Sequence, residues 1–217
     1  VQPIAEVVSS SVTNIVAQTL ASDQIEALES KKKSRNEPAA NQIWEGARFG
    51  SFVRISCESA DLECFAVVHD VVTGPIDGVH RPSAFGLNRE QLLLEQPQIF
   101  ALLRTDLHAT IVGYKKGRSA FQHLPPRPPE VHDFVYEANE EDIEAITRDF
   151  EFLRLLAAVK NVPADELLAA AVREAYLRSG EEKAFLLKAG QAFAQMFRSD
   201  YERLVSVLRK IRPSGPL

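Results

Sequence analysis

The stretch Val112–Pro129, VGYKKGRSAFQHLPPRPP, gathers the residue types most suggestive of chemistry in this chain. Gly113 and Gly117 stand four apart, with Lys115, Lys116 and Arg118 around them, a composition that could cradle a phosphate. A phosphate-binding loop needs G-x-x-x-x-G-K-[ST] between a strand and a helix, so that backbone N–H groups converge on the anion. No glycine here is followed by Lys and then Ser or Thr, and the prolines at 125, 126, 128 and 129 cannot lie within a helix. PPRPP also has the composition of a polyproline ligand for an aromatic groove. It fits a third reading better, the corner of a barrel, because proline fixes φ, lacks an N–H and makes a stiff connection at a sheet edge. In that reading a strand ends at Tyr114, turns over Lys115-Lys116-Gly117 and returns through the prolines into HDFVYEA.

Other candidate groups are scattered. Glu137, Glu140, Glu141, Asp142, Glu144, Asp149 and Glu151 form an acidic run whose spacing matches the solvated face and capped start of a helix. The histidines at 69, 80, 108, 123 and 132 show no H-x-x-x-H or H-E-x-x-H spacing. Cys57 and Cys64 flank a turn, so symmetric pairing about it would place the thiols opposite each other, as small buried hydrophobes. Two cysteines without a His pair do not supply the four ligands of structural zinc. No G-x-S-x-G is present. No catalytic, cofactor-binding or metal-binding residue is therefore assigned, no cofactor is expected, and the chain is expected not to be an enzyme.

Charge leaves one local signal. The 217 residues carry a net charge of −5, which gives no global attraction to nucleic acid or acidic membranes. Two basic groups, Lys31, Lys32, Lys33 and Arg35, and Lys115, Lys116 and Arg118, would make a positive edge if folding placed them on one rim. Apolar runs are too short to span a membrane, and VQPIAEVVSS lacks a signal-peptide pattern, so no membrane association and a cytoplasmic address are expected.

The hydrophobic period divides the chain in two. Up to residue 138, IAEVVSS, VTNIVAQTL, GSFVRISC, LECFAVVHDVVTG, LHATIVGY and DFVYEA read as strands of a small barrel or sandwich. GSFVRISC alternates Phe52, Arg54 and Ser56 against Val53, Ile55 and Cys57. Two connections interrupt the strands. Residues 21–46 form a long insertion with a short helix expected over SDQIEALESKKK, and NREQLLLEQP reads as a helix capped by Asn88 and stopped before Pro97. From Asn139 the period is helical. The first helix, capped by Asn139, places Ile143, Ile146, Phe150, Leu153 and Ala157 on one stripe. A second opens at Pro163 and ends at Gly180. A third, with Ser179 and Glu182 as a capping box, runs to about Ile211 and measures roughly 45 Å at 1.5 Å per residue. Its far end overhangs the second helix, so Leu204, Val207, Leu208 and Ile211 need a cover: the first helix, the barrel or another chain.

The order FGSFVRI, CFAVVHDVVT, ATIVGYKKG and LPPRPPEVHDFVYEANEEDI resembles the HAS-barrel, the small N-terminal β-barrel of HerA-type DNA-translocating ATPases, related to the crown barrels of rotary ATP synthases. Gly50 before a strand with central Val53, Gly113-Tyr114 before a basic turn, and Pro125–Pro129 leading to Val135, Tyr136 and Ala138 carry the likeness. Ala5 and Ala66 stand where the family often has glycine, and helices follow where its ATPase domain would, so no catalytic residue carries over. The expected fold is α+β: a HAS-like barrel over 1–138 with the insertion at 21–46, then an antiparallel three-helix domain over 139–217. The resemblance implies a barrel used for ring assembly and docking. The leading expectation is a non-catalytic adaptor or assembly protein. Its partner would be a protein, by resemblance a ring ATPase or DNA-processing machine, with a homo-oligomer as the other outcome. Docking would use Leu204, Val207, Leu208 and Ile211. The alternative is a nucleic-acid-binding module using the basic rim.

Overall fold

Alternating β-branched and polar residues specify half-buried strands. The computed structural model describes residues 2–20, 47–75, 84–96, 98–180 and 182–211. The strands are β1 (Ala5–Ser10), β2 (Asn14–Thr19), β3 (Phe52–Cys57), β4 (Leu62–Pro75), β5 (Leu103–Lys116), β6 (Ser119–Phe121) and β7 (Phe134–Glu137). They pair antiparallel in the order β2-β1-β7-β3-β4-β5, and β5 returns to β2, closing a six-stranded barrel. β6 lies outside the closure as the hairpin partner of β5.

The period-two pattern sorts side chains between two cores. Val53, Ile55 and Cys57 point into the barrel with Val7, Ile15, Cys64, Ala66, Val68, Leu107, Ala109, Ile111 and Val135. Phe52, Phe65, Val67 and Val112 point outward, into a second core shared with the helices. Bulges at His69 and Val112 bend the long β4–β5 pair as it wraps the barrel. Beyond Asp106, where β2 stops pairing, Thr73–Pro75 and Leu103–Thr105 continue as a two-stranded ribbon.

The connection after that ribbon includes α1 (Arg89–Glu95) and α2 (Gln98–Ala101). The cap expected at Asn88 is present as a full capping box with Gln91. The C-terminal half holds α3 (Glu140–Thr147), α4 (Phe152–Ala157), α5 (Ala164–Arg178), α6 (Lys183–Met196) and α7 (Tyr201–Lys210).

The three-helix expectation is corrected to these five, and both breaks have local causes. The first helix stops at Thr147, and Phe150 takes φ 56° while burying its ring against Phe185. Gln122, leaving β6, accepts the N–H of Glu151 at 2.9 Å and that of Phe152 at 3.4 Å, so a side chain from the barrel starts α4. The third helix stops at Met196, and Asp200 accepts the N–H of Arg203 at 3.0 Å as the cap of α7. The capping box expected from Ser179 and Glu182 does not form: Glu182 precedes α6 without a side-chain hydrogen bond. α7 turns back along α5, with Arg203–Asp165 at 2.8 Å, Lys210–Glu166 at 2.6 Å and Arg173 donating to the Lys210 carbonyl at 2.6 Å.

Two glycines fix how the helices meet the barrel. Gly50 sits at φ +87°, and a Cβ there would lie 2.5 Å from Ala170 Cβ and 2.8 Å from the Ala170 carbonyl carbon of α5. A Cβ on Gly113 would lie 2.3 Å from both Ile146 Cδ1 and the Phe121 carbonyl oxygen.

Candidate functional site

The stretch that most resembled a phosphate loop is a β-hairpin. Lys116 pairs with Ser119 across a turn in which Gly117 has φ +57°, and another strand, not a helix, follows. That leaves no ring of helix-opening N–H groups to hold a phosphate. Tyr114 and Phe121 are opposite each other across the hairpin and stack at 4.9 Å, with the His123 ring 5.3 Å and 5.5 Å away. Pro125 and Pro129 are buried, which ties the proline segment to the barrel as a corner.

The basic rim is only partly present. Lys116 and Arg118 are exposed at the hairpin tip. Lys115 is on the opposite face of the strand, 4.0 Å from both Glu63 and Asp142. Lys31, Lys32, Lys33 and Arg35 lie outside the described residues, as does His80.

The acidic run needs one correction. Asp142 is not on the solvated face; it is 4% exposed. Its carboxylate accepts the Asn139 N–H at 3.3 Å, completing the α3 capping box, and lies 3.6 Å from Arg54 Nε of β3. Arg54 also pairs with Glu63 and lies over the Tyr136 ring at 5.1 Å. The cluster therefore clamps α3 to the outer barrel wall. It is not a pair of free carboxylates converging on a substrate. Asp142→Ala leaves the Asn139 cap but removes the reciprocal half of the capping box and the ion pair, and is expected to lower stability by about 2 kcal/mol. Asp142→Asn retains an acceptor for the cap and is expected to lose about half of that. Urea midpoints of the two variants check the split.

The cysteines are free and buried. The register corrects their expected opposition: Cys57 faces Leu62 and Cys64 faces Ile55, so the thiols are diagonal neighbours on the inner face. The hydrogen bond to Cys57, then burial, push the Cys64 thiol far above its ordinary pKa. Because both thiols are buried, both cysteines are expected to resist maleimide in the folded chain and to label fully in denaturant. Labelling of either at the denatured rate would contradict this placement.

Of the described histidines, His69 and His108 lie side by side, with ring centroids 6.3 Å apart. His69, at the β4 bulge, lies 3.0 Å from Thr110 Oγ1, which in turn donates to Asn14. Burial, then the nearby His108, lower the His69 pKa. His132 pairs with Glu6. Among the described residues no group of three or more His, Cys, Asp or Glu is placed to hold a metal ion. No helix among them is long and apolar enough to cross a membrane.

The expected docking seam is covered by the chain itself. Val207 is fully buried, Ile211 is 6% exposed, and Leu204 and Leu208 are partly buried against the same core. Because α7 folds back along α5, these residues pack into the chain's own helical core, and the long overhanging helix does not form.

A group of uncovered apolar side chains lies on the connection between β4 and β5. α1 buries none of its residues, and Leu94 is 83% exposed. Phe85, Leu87 and Leu102, on the same connection, and Val72, at the barrel rim where the ribbon begins, are exposed as well. The sequence held a signal for this. Leu92, Leu93 and Leu94 are consecutive, and three consecutive positions cover too much of a helix's circumference to face one core.

Compared with protein-family models and with curated proteins, the chain gives no match.

Proposed function

We propose that this chain is a non-catalytic adaptor or assembly protein that docks onto a larger protein machine through the β4–β5 ribbon and α1. The observation that carries this reading is a run of exposed apolar side chains on the connection between β4 and β5; others, among them Leu177, Leu187 and Tyr201, lie on the C-terminal helices. Phe85, Leu87, Leu94 and Leu102 lie on the connection between β4 and β5, and Val72 lies at the barrel rim where the ribbon begins. The barrel interior is filled by side chains, Asp142 is taken up by the capping box and an ion pair, and the phosphate-like stretch is a hairpin. The docking role draws further support from the likeness of the barrel segment to HAS-barrels, through Gly50, Val53, Gly113, Tyr114 and the Pro125–Pro129 corner. By that likeness the partner is a ring ATPase or DNA-processing machine. This step rests on family analogy, since function resides in sites and not in folds.

Purified chain is expected to show no nucleotide hydrolysis or nuclease activity above background. Turnover that disappears with a substitution in this chain's own side chains would overturn the reading. The nucleic-acid reading retains Lys116 and Arg118 at the hairpin tip. It requires salt-dependent binding that is lost when Lys31, Lys32 and Lys33 are changed to Glu; absence of binding at low salt removes it.

A further inference from the structure

The charge on α6 is one-sided. From Lys183 to Ser199 the sequence contains no acidic residue, in a chain whose net charge is −5. Phe185, Leu186, Ala189, Phe193 and Met196 turn towards the helical core. The opposite side, an arc of about 140° on the helix, presents Lys183, Ala184, Leu187, Lys188, Gln191 and Ala194, all exposed. Leu187 is 66% exposed at the centre of this face. The ion pairs among the described residues engage neither Lys183 nor Lys188, nor Arg198 just beyond the helix.

Beside this face lies a cleft of about 480 Å³ between α3, the end of α5 and the start of α6. Phe150, Phe185 and Ile143 line it, and Leu177, 58% exposed, stands at its edge. Glu140, Glu144 and Arg148 stand on its α3 side, Arg178 at the end of α5, and Glu182 and Lys188 on its α6 side. The cleft is thus apolar at its base, with both signs of charge around its mouth.

We propose that the exposed face of α6 and the adjoining cleft bind an acidic, amphipathic segment of a partner protein. An apolar side chain of that segment enters the cleft against Phe185 and Leu177. Its carboxylates lie along α6, on Lys183 and Lys188. Charge complementarity sets the choice of occupant: three unpaired cations without an acid among them favour an acidic chain and disfavour a second copy presenting the same cationic face. The inference rests on the adaptor reading only in taking the occupant to be a protein.

The test is a photoreactive phenylalanine analogue placed at Gln191, irradiated in the native cell, with the crosslinked segment sequenced by mass spectrometry. A parallel chain carries the analogue at Glu90 on α1. The expected product at Gln191 is a partner segment rich in Asp and Glu with interspersed apolar residues. Its yield should fall at least fivefold with Lys183→Glu and Lys188→Glu together, while crosslinking from Glu90 persists. Crosslinks to nucleic acid, to a second copy of this chain or to a basic segment overturn the inference, as does a yield unchanged by charge reversal. No crosslink at Gln191 beside a productive Glu90 overturns the α6 site alone; no crosslink at either position counts against the adaptor reading as well.

Discussion

Gly50→Ala is expected to destabilise the chain by roughly 3 kcal/mol or more, combining overpacking with a strained backbone. The new methyl group would meet Ala170 Cβ at 2.5 Å and helix backbone at 2.8 Å, so no flexible side-chain end can yield. The φ of +87° adds strain for any residue with a Cβ. The clash is with α5, whereas the turn itself belongs to the barrel: Gly50 donates to the Val68 carbonyl at 2.8 Å. The variant therefore tests the docking of barrel and helices as one unit. Gly74 is the control, because a Cβ there meets nothing within 4 Å. Gly74→Ala should change stability by less than about 0.5 kcal/mol. Equal effects of the two substitutions on the urea midpoint would mean that α5 does not lie against the Gly50 turn.

Val207→Asp is expected to cost about 4 kcal/mol or more, because it places a carboxylate at a fully buried core position. The size of this effect separates two accounts of α7. If Val207 lay on an exposed docking seam, the change would leave the fold intact and abolish only association. In the observed packing, α7 is held to α5 by Arg203–Asp165 and Lys210–Glu166, and Val207 completes the core beneath them. The variant should then unfold at markedly lower urea even at high dilution. A folded chain of unchanged midpoint would return Val207 to a surface role.

The barrel was legible because closed antiparallel sheets alternate inner and outer residues at every step. Phe52, Arg54 and Ser56 separated from Val53, Ile55 and Cys57 in the sequence as they do in the fold. β6 was missed, since three residues carry too little pattern to register. The helix breaks were missed for a different reason. Ile143, Ile146, Phe150 and Leu153 all face one core, so the apolar stripe runs unbroken through a backbone that does not. The cap that restarts α4 comes from Gln122, 29 residues earlier, and no local reading anticipates it. Asp200 before α7 was a local cap signal that could have been used. Without that turn, Leu204, Val207, Leu208 and Ile211 read as an overhanging seam, whereas they pack against the chain's own helical core. The glycines show the reverse case. Gly50 and Gly113 were noted as turn and strand-end positions, but close approach to Ala170 and Ile146 gives them their physical role here.

The central claim is that this chain docks through the β4–β5 ribbon and α1. The most direct measurement is a quantitative affinity capture from the native cell with three matched baits: the unmodified chain, Leu94→Glu with Leu102→Glu, and Val12→Glu as an exposed control. Leu94 and Leu102 are 83% and 54% exposed, so all three baits should fold equally well. The account predicts a reproducible ring ATPase or DNA-processing protein with the unmodified and Val12→Glu baits, reduced at least tenfold with the double variant. Equal recovery of that partner by all three baits, or recovery of nucleic acid and its abundant binders alone, would contradict it.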